Sequence, residues 1–399
     1  MEKLKREHYL KQIRPFYHDD IIKILVGIRR CGKSELLNQI ETELLGNGVK
    51  KDHIVFIKFE LIEFEELTDY KKLNEYVKSK IKDKDRYYLF LDEVQYVDKF
   101  EKVVNSLNIE LNLSIFMTGS NSKLLSDELD TLLSGRFVNI HIEPLSYVEI
   151  SEYLSKDINN DEFFDNYLEW GSLPKRFDYN EELALRTYLQ SVYDSIILRD
   201  VIYRLKLTDR TLFDLILQYA IDIIGREFSI TNLVNFLNSN GRSVSNETIY
   251  DYIDSLTKAL IMKKVYRYDI HGKNALKTLP KYYYTDFGLL QIRNSKSNRT
   301  LPYIYENAVY NSLLYKGYEV YTGKTNKGEI DFVAIRNNEK IYIQVSISIK
   351  DENTRKRELS VFDEIEDHYP KYIITNDDFD YSENGIKWFN IKNFLLMEE

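Results

Sequence analysis

Residues 21–40 read IIKILVGIRRCGKSELLNQI, and this stretch decides the fold of the first part of the chain. The first half is an apolar run over residues 21–26 with the composition of a buried strand. The second half spaces its apolar residues as an amphipathic helix does, at Leu36, Leu37 and Ile40. The stretch therefore predicts a strand, a tight loop that begins at Gly27, and a helix.

The loop between the two elements, GIRRCGKS, is a complete match to the phosphate-binding pattern G-x-x-x-x-G-K-[ST]. Its glycines let the backbone turn and direct N–H groups at phosphate oxygens, and the helix that follows adds the positive end of its dipole. We expect Lys33 to reach the β- and γ-phosphates and the Ser34 hydroxyl to hold Mg²⁺. The residues assigned to the nucleotide are Gly27, Arg30, Cys31, Gly32, Lys33, Ser34 and Glu35.

A second strand of the buried type, YYLFLDE at residues 87–93, ends in two acids. Hydrolysis of a nucleotide needs such a carboxylate-bearing strand beside the phosphate loop. Asp92 is suited to a contact with Mg²⁺, so the predicted metal site is Ser34 with Asp92. Glu93 is placed to polarise the attacking water.

A third strand, SIFMTGSN at residues 114–121, ends in small polar residues. Ligands of such sheets lie at the carboxyl ends of the strands, so Thr118, Ser120 or Asn121 could sense the γ-phosphate. Ser120 is our candidate for a catalytic role. The alternative is an ordinary turn from strand to helix, in which the Ser or Asn is a cap.

An arginine lies in the short segment Ser134-Gly135-Arg136, before a strand at residues 137–142. Arg136 could complete a nucleotide site as an arginine finger, supplied by its own or a neighbouring subunit. We expect this turn on the nucleotide side of the sheet, with the finger acting across a subunit boundary. A surface or structural arginine is the alternative.

Five segments together carry a family resemblance: GIRRCGKS, LFLDEVQ, TGSNS, LSGRF and the PLSYVEI that follows. They resemble the AAA-superfamily P-loop ATPases of archaea and bacteria, which pair this module with a C-terminal region of unknown function. The resemblance implies ATP hydrolysis with Mg²⁺ on a RecA-like sheet. It implies no known substrate.

The composition describes a globular protein, with 43% hydrophobic and 30% charged residues among 399. The N-terminus has no apolar signal core and no apolar run is long enough to span a bilayer, so we expect a cytoplasmic protein without membrane contact. Cys31, the single cysteine, cannot form an intramolecular disulfide. The net charge of -9 argues against a surface coated with basic groups for nucleic acid, although a local patch stays possible.

The predicted fold class is α/β, with four regions along the chain. Residues 1–148 form a RecA-like P-loop domain with a parallel sheet, residues 149–210 a helical lid, residues 211–290 a winged helix and residues 300–399 an α/β domain. In the first region, strands at residues 54–59, 87–91, 114–118 and 137–142 follow the first strand. Loops within residues 119–134 are the expected mobile segments.

The predicted winged helix gives mixed signals about nucleic acid. Its reading helix, capped by Ser245, would present acids that repel phosphate: Glu247, Asp251 and Asp254. Residues 226–286 hold nine Lys or Arg and six Asp or Glu, so they net 9 - 6 = +3. The excess lies in the wing, at Lys263, Lys264, Arg267, Lys273, Lys277 and Lys281. A wing that contacts the DNA backbone and a winged helix that binds only protein are equal alternatives.

The last hundred residues resemble the restriction-endonuclease-like fold, which implies Asp on one strand and Glu-x-Lys on the next. Asp331 is present, but Gln344 stands for the glutamate and Ser346 for the lysine. Glu306, on a preceding helix, is a possible second carboxylate. We expect this domain to bind or dock and not to cleave.

Three functions follow in order of preference. The first is an ATPase that couples hydrolysis to DNA binding or remodelling, and the second is an ATP-driven regulatory switch that acts on a protein partner. An ATP-dependent nuclease ranks last. A homo-oligomer is compatible with each.

Overall fold

The computed structural model describes residues 4–120, 124, 133, 135–154, 161–202, 209–270, 274–292 and 301–397. The chain divides into two compact units. The first holds residues 1–144 with 258–260, and the second holds residues 145–257 with 261–399. The segments expected to be mobile, residues 119–134, lie mostly outside the described residues, as do Asn121 and Ser134.

The first unit is built on a parallel sheet with the strand order β2-β3-β4-β1-β5. Its strands are β1 (Ile22–Val26), β2 (Ile54–Lys58), β3 (Tyr87–Asp92), β4 (Leu113–Gly119) and β5 (Phe137–His141). Its helices are α1 (Glu7–Ile13), α2 (Lys33–Gly46), α3 (Tyr70–Lys80) and α4 (Phe100–Glu110). The parallel α/β sheet predicted from the sequence is confirmed.

The three central strands are buried along their whole length, which explains their nearly continuous apolar sequences. Val26 pairs with Gly119, and Leu91 pairs with Met117, so β1, β3 and β4 end side by side. Because parallel strands share one direction, the residues after these three strands meet at one edge of the sheet.

The second unit begins with helices and ends with a mixed sheet. Its helices are α5 (Tyr147–Leu154), α6 (Asp161–Trp170), α7 (Glu182–Ile196), α8 (Arg210–Asp222), α9 (Ile230–Ser239), α10 (Asn246–Lys258), α11 (Phe287–Gln291), α12 (Leu301–Tyr315), α13 (Glu352–Ser360) and α14 (Ile391–Leu396). Ser245 accepts a hydrogen bond from the Thr248 amide at 3.1 Å, as expected of the cap that begins α10.

Seven strands form the mixed sheet, in the order β12-β11-β10-β9-β8-β6-β7. They are β6 (Met262–Asp269), β7 (Asn274–Tyr284), β8 (Glu319–Lys324), β9 (Glu329–Arg336), β10 (Glu339–Val345), β11 (Lys371–Thr375) and β12 (Ile386–Asn390). Helices α8 to α10 and the antiparallel hairpin β6–β7 come in the order of the predicted winged helix, which stays a prediction. Strand β6 pairs in parallel with β8, so one sheet spans the stretches that the sequence analysis assigns to two domains.

None of the helices among the described residues combines the length and the apolar character that crossing a bilayer requires.

Candidate functional site

The loop after β1 has the geometry that its glycines predict. Gly32 has a φ of 108°, in the left-handed region, and the 14-residue helix α2 begins at the next residue. A Cβ on Gly27 would lie 2.2 Å from the Ile142 carbonyl oxygen and 2.7 Å from Cys31 Sγ. The loop therefore packs too closely for larger residues at these positions, and it delivers the N-terminus of α2 to the carboxyl edge of the sheet.

Lys33 is buried and turned back over its own loop. Its ammonium group donates to the carbonyl oxygens of Gly27 at 2.9 Å and Ile28 at 3.2 Å, and it lies 3.7 Å from Glu93 Oε1. These partners are two neutral acceptors and one carboxylate. A phosphate group can compete for such a lysine because it offers more negative charge than the carbonyls do.

Asp92 and Ser34 meet at the sheet edge, as the predicted metal site requires. The Ser34 hydroxyl donates to Asp92 Oδ1 at 3.0 Å, and the Thr118 hydroxyl donates to the same oxygen at 2.6 Å. Burial raises the pKa of Asp92 above its ordinary value although both hydrogen bonds oppose this. A nearby cation would stabilise the ionised form of this buried carboxylate. The Ser34 hydroxyl and the Asp92 carboxylate therefore form a set of oxygen ligands that fits Mg²⁺.

Glu93 is held in a strained backbone conformation, with a φ of 59°. Its amide donates to Thr118 Oγ1 at 2.8 Å, and the Ser120 hydroxyl donates to its Oε2 at 3.1 Å. Burial alone would raise the pKa of Glu93, but the charge of Lys33 and the hydrogen bonds to the carboxylate outweigh burial and lower it. Glu93 is therefore ionised at neutral pH and able to accept a proton.

Two residues of this site have roles that the sequence analysis missed. Thr118 bridges Asp92 and the Glu93 amide, while its contact with the γ-phosphate stays a prediction. Gln95 donates from its side-chain amide to Glu93 Oε2 and, at 3.3 Å, to Ser120 Oγ. Gln95 follows the two acids closely in the sequence, and this spacing is the signal that could have indicated its contact with Glu93.

Arg6, near the N-terminus, also supports the phosphate loop. It is almost fully buried, and its Nη1 donates to the carbonyl oxygens of Cys31 at 3.1 Å and Glu143 at 2.9 Å. The guanidinium thus ties the loop to the segment after β5. No sequence pattern predicts a contact between residues 137 positions apart.

The other residues assigned to the nucleotide are distributed around the loop. Cys31 is fully buried, and burial raises the pKa of its thiol, which agrees with a small packing residue. Arg30 is exposed and adopts a φ of 68°. Glu35 lies in the first turn of α2, with its carboxylate 3.5 Å from the Asn38 amide. Contact of these three with nucleotide stays a prediction.

Arg136 is not where the sequence analysis expected it. It is exposed and precedes β5, whose first residue, Phe137, pairs with Ile22 at the start of β1. The phosphate loop follows the other end of β1, about 13 Å away at roughly 3.3 Å per residue. The expectation that this turn lies on the nucleotide side of the sheet is therefore wrong, because a turn before a parallel strand lies at the amino edge. Only the arginine finger supplied to another subunit stays a prediction.

Comparisons with known proteins agree with this geometry. A family model described as an AAA domain matches residues 19–151, and one described as a domain of unknown function, DUF8612, matches residues 161–299. An uncharacterized protein of Haemophilus influenzae is 34% identical over 398 residues, which cover 98% of each chain. The chain belongs to the AAA-superfamily P-loop ATPases. An uncharacterized protein of Methanocaldococcus jannaschii is 28% identical and matches 86% of this chain and 78% of its own.

A solved structure shows the same fold as part of this AAA chain. The Walker-type ATPase of Pyrococcus abyssi superposes with a TM-score of 0.50 at 16% identity, covering 73% of this chain and 96% of its own. At this identity the likeness concerns the fold.

The second unit of this AAA chain contains a second group of polar and charged side chains, all buried except the partly exposed Glu329. We call it the Lys281 cluster: Lys281, Tyr283, Glu306, Glu329 and Asp331. The Lys281 ammonium on β7 lies 3.8 Å from Glu306 Oε2 and also contacts Glu329 Oε1. Tyr283 donates to Glu306 Oε2 at 3.1 Å. Burial raises the pKa of Glu306 to about 7 and that of Asp331 well above its ordinary value. The neighbouring carboxylates raise both pKa values further, and the charge of Lys281 opposes the rise.

The motif positions around Asp331 do not fit the divalent cation that the nuclease-like fold implies. Gln344 turns its amide to Glu358 Oε2 at 2.8 Å and accepts from the Asp331 amide. Ser346 donates to the Ser348 carbonyl oxygen at 3.3 Å. Lys350, the next lysine along the chain, lies 3.7 Å from Asp377 Oδ1.

The distances between possible metal-ligand atoms also argue against a divalent cation at Asp331. Within the described residues, only His53, Asp83 and Asp85 of the first unit bring three ligand atoms of His, Cys, Asp or Glu within 4.8 Å of one another. The carboxylates of the Lys281 cluster do not, and the ammonium group of Lys281 contacts two of them. The second unit therefore holds a protein cation beside the carboxylates at which the sequence analysis considered a metal.

The position of Lys281 also corrects the expectation that every basic residue of the predicted wing is available to DNA. The sequence analysis counted it among the bases available to DNA, but the structure buries it against the Glu306 and Glu329 carboxylates. Lys263, Lys264 and Arg267 are partly exposed. Lys273 lies outside the described residues, as does the side chain of Lys277. The exposed acids on α10, Glu247 and Asp251, are as expected.

Proposed function

We propose that this protein binds ATP with Mg²⁺ at the loop after β1 and hydrolyses it. The observation that supports the proposal best is the convergence of four side chains at one sheet edge. Ser34 and Asp92 lie 3.0 Å apart, and Lys33 and Glu93 lie 3.7 Å apart. Each pair joins the phosphate loop to the acidic end of β3.

Each of the four side chains has a distinct role in this proposal. Lys33 leaves its loop carbonyls and neutralises the β- and γ-phosphates, while Ser34 and Asp92 hold the cation. Mg²⁺, when bound, stabilises the charge that develops on the transferred phosphoryl group. Glu93 orients the attacking water and takes its proton, since its carboxylate is ionised and lies beside Lys33.

The experiment that tests this proposal is phosphate release from Mg·ATP by the purified chain. We expect turnover by the wild type and none above background by Lys33→Ala. Equal rates for the two proteins would contradict the proposal and would assign the measured activity to a contaminant or another site.

We further propose that hydrolysis is coupled to DNA binding or remodelling through the hairpin β6–β7. Lys263, Lys264 and Arg267 supply a basic, partly exposed group on β6. Such residues contact phosphates and position a protein without reading sequence. A regulatory switch on a protein partner is the second candidate, because the exposed face of α10 carries Glu247 and Asp251.

A comparison of ATPase rates with and without single-stranded, double-stranded and branched DNA separates the two candidates. Stimulation of several fold that falls with added salt, and that Lys263→Ala with Lys264→Ala removes, would support DNA. Lys356→Ala is the control, because this lysine is exposed on α13 and forms an ion pair with Glu352 in its own helix. Rates that no DNA changes would favour the protein partner.

A further inference from the structure

The two carboxylate oxygens of Glu93 have different surroundings. Oε2 accepts hydrogen bonds from the Gln95 side-chain amide and from the Ser120 hydroxyl, whereas Oε1 lies 3.7 Å from the Lys33 ammonium. Gln95 also donates to Ser120 Oγ at 3.3 Å, so the three side chains close a ring on one oxygen. One oxygen is anchored, and the other faces the phosphate loop.

The orientation of the Gln95 amide is determined by Glu93. Gln95 Oε1 is buried and has no hydrogen-bond partner among the described residues. A buried unsatisfied carbonyl is unfavourable, yet rotating the amide would turn this oxygen against the Glu93 carboxylate and remove the donor. Gln95 therefore gives up one hydrogen bond and keeps the one that holds Glu93.

The end of β4 closes the site from the other side. A Cβ on Gly119 would lie 2.8 Å from Gln95 Oε1 and 2.1 Å from Leu124 Cδ1. The backbone thus packs directly against the amide and restricts its movement. Ser120, the next residue, completes the ring from the same strand end.

We infer that Gln95 is a positioning residue for the proposed hydrolysis: with Ser120 it anchors Oε2 of Glu93, so that Oε1 is the oxygen that accepts the proton of the attacking water. The inference rests on the proposed ATPase function and deepens it. Gln95 acts through Glu93, to which it donates a hydrogen bond, and not by taking part in the reaction itself. Without the anchor, the carboxylate rotates about its side-chain bonds, and its base oxygen leaves the line of attack.

If Gln95 positions Glu93, its replacement should lower kcat and leave KM and the melting temperature nearly unchanged. A purely structural role would change all three. In Gln95→Ala we expect kcat for ATP to fall roughly 10- to 100-fold, the loss expected when a base is misplaced by about 1 Å. KM and the affinity for ATP should stay within about twofold, because Lys33 and Ser34 are untouched. The melting temperature should change little, because the lost hydrogen bonds to Glu93 and Ser120 are offset by removal of an unsatisfied buried carbonyl.

Three further variants sharpen the test. Gln95→Glu keeps the shape but replaces the donor with an acceptor beside Glu93, and its kcat should fall at least as far as that of Gln95→Ala. Gln95→Asn keeps the donor on a shorter side chain and should recover part of kcat. Gln12→Ala, an exposed glutamine on α1, is the matched control and should leave all three measurements unchanged.

Because Gln95 and Ser120 act on the same oxygen, a double-mutant cycle should show coupling. The loss of kcat in the double alanine variant should differ from the product of the single losses by at least about twofold. A wild-type kcat in Gln95→Ala, or a kcat loss that only follows a lower melting temperature, would overturn the positioning role and leave the ATPase function standing. Absence of turnover by the wild type would overturn both.

Discussion

Each unit of this protein buries a lysine beside at least one carboxylate, and the two lysines differ in their other contacts. Lys33 donates to two carbonyl oxygens of its own loop and lies near one oxygen of Glu93. Lys281 lies between the carboxylates of Glu306 and Glu329, which come from a helix and a strand. An incoming anion can displace the first set of contacts, while the second set already provides the negative charge that the lysine needs.

The difference shows that residue types alone do not define a phosphoryl-transfer site. At the first site the lysine follows a glycine loop, begins a helix and stands at the carboxyl edge of a parallel sheet. At the second site the carboxylates outnumber the lysine, and two of them, Glu306 and Asp331, are buried, so the lysine acts as a fixed internal cation. We expect the first lysine to matter for turnover and the second for folding.

The largest effect should come from Lys33→Ala, which removes the charge that binds the β- and γ-phosphates. ATP turnover should become undetectable by phosphate release, while the circular dichroism spectrum stays that of the folded protein. Lys84→Ala, at an exposed lysine in the same unit, should turn over normally. Normal turnover by Lys33→Ala would remove the functional contrast between the two lysines.

Lys281→Ala should mainly destabilise the second unit. Leaving buried carboxylates without their cation costs about 3–5 kcal/mol in the free energy of unfolding. Urea denaturation followed by tryptophan fluorescence measures the free energy of unfolding of the second unit. Both tryptophans, Trp170 and Trp388, belong to that unit.

The control for this experiment is Lys327→Ala, which breaks the exposed ion pair with Asp363 and should cost at most about 1 kcal/mol. Equal losses in the two variants would mean that the Lys281 cluster does not stabilise the fold beyond an ordinary surface pair.

Glu93→Gln should slow hydrolysis by roughly 10²-fold or more, since the amide cannot accept the proton of water. Binding of ATP, measured by equilibrium titration, should be kept because Ser34 and Asp92 stay in place. Glu66→Gln, at a highly exposed glutamate of the same unit, is the control. If Glu93→Gln hydrolyses ATP at the wild-type rate, the catalytic carboxylate lies elsewhere.

A smaller effect should appear when Arg136→Ala and Lys33→Ala proteins, each inactive alone, are mixed. If Arg136 completes the site of a neighbouring subunit, a mixed pair holds one intact site. Random pairing in a dimer then restores roughly a quarter of the wild-type rate. No recovery, together with a single-subunit mass by light scattering, would exclude an arginine finger between subunits.

No effect at all is expected for DNA cleavage. The wild type, with Mg²⁺ or Mn²⁺ and with or without ATP, should leave linear and branched DNA intact, because the Lys281 cluster does not gather three metal ligands. Cleavage that disappears in Asp331→Ala would show that the Lys281 cluster, like the site at Lys33, is catalytic.

The sequence predicted the first unit well because local patterns carry its geometry. The apolar run of β1, the glycine loop and the spacing of α2 lie within 20 consecutive residues, and the acids that end β3 follow a second clear strand. Such features depend on backbone turns and strand direction, which short patterns record.

What the sequence did not predict depends on contacts between distant residues or on strand register. Arg6 reaches Glu143, Lys281 reaches Glu306 and Glu329, and no pattern links them. Arg136 lies at the amino edge of the sheet because β5 runs parallel to β1 and begins at the next residue, and the Ser-Gly-Arg pattern does not record that direction. Gln95 lay within a motif, but only its amide contacts reveal what it holds.

The parallel pairing of β6 with β8 also matters for anyone who wishes to divide this protein into fragments. A fragment that starts near residue 300 would lack β6 and β7 and would leave the backbone of β8 unpaired along one edge. Unpaired edges promote aggregation by pairing with other chains. The shortest fragment of this region suited to expression and crystallisation therefore begins before Met262 and keeps the hairpin.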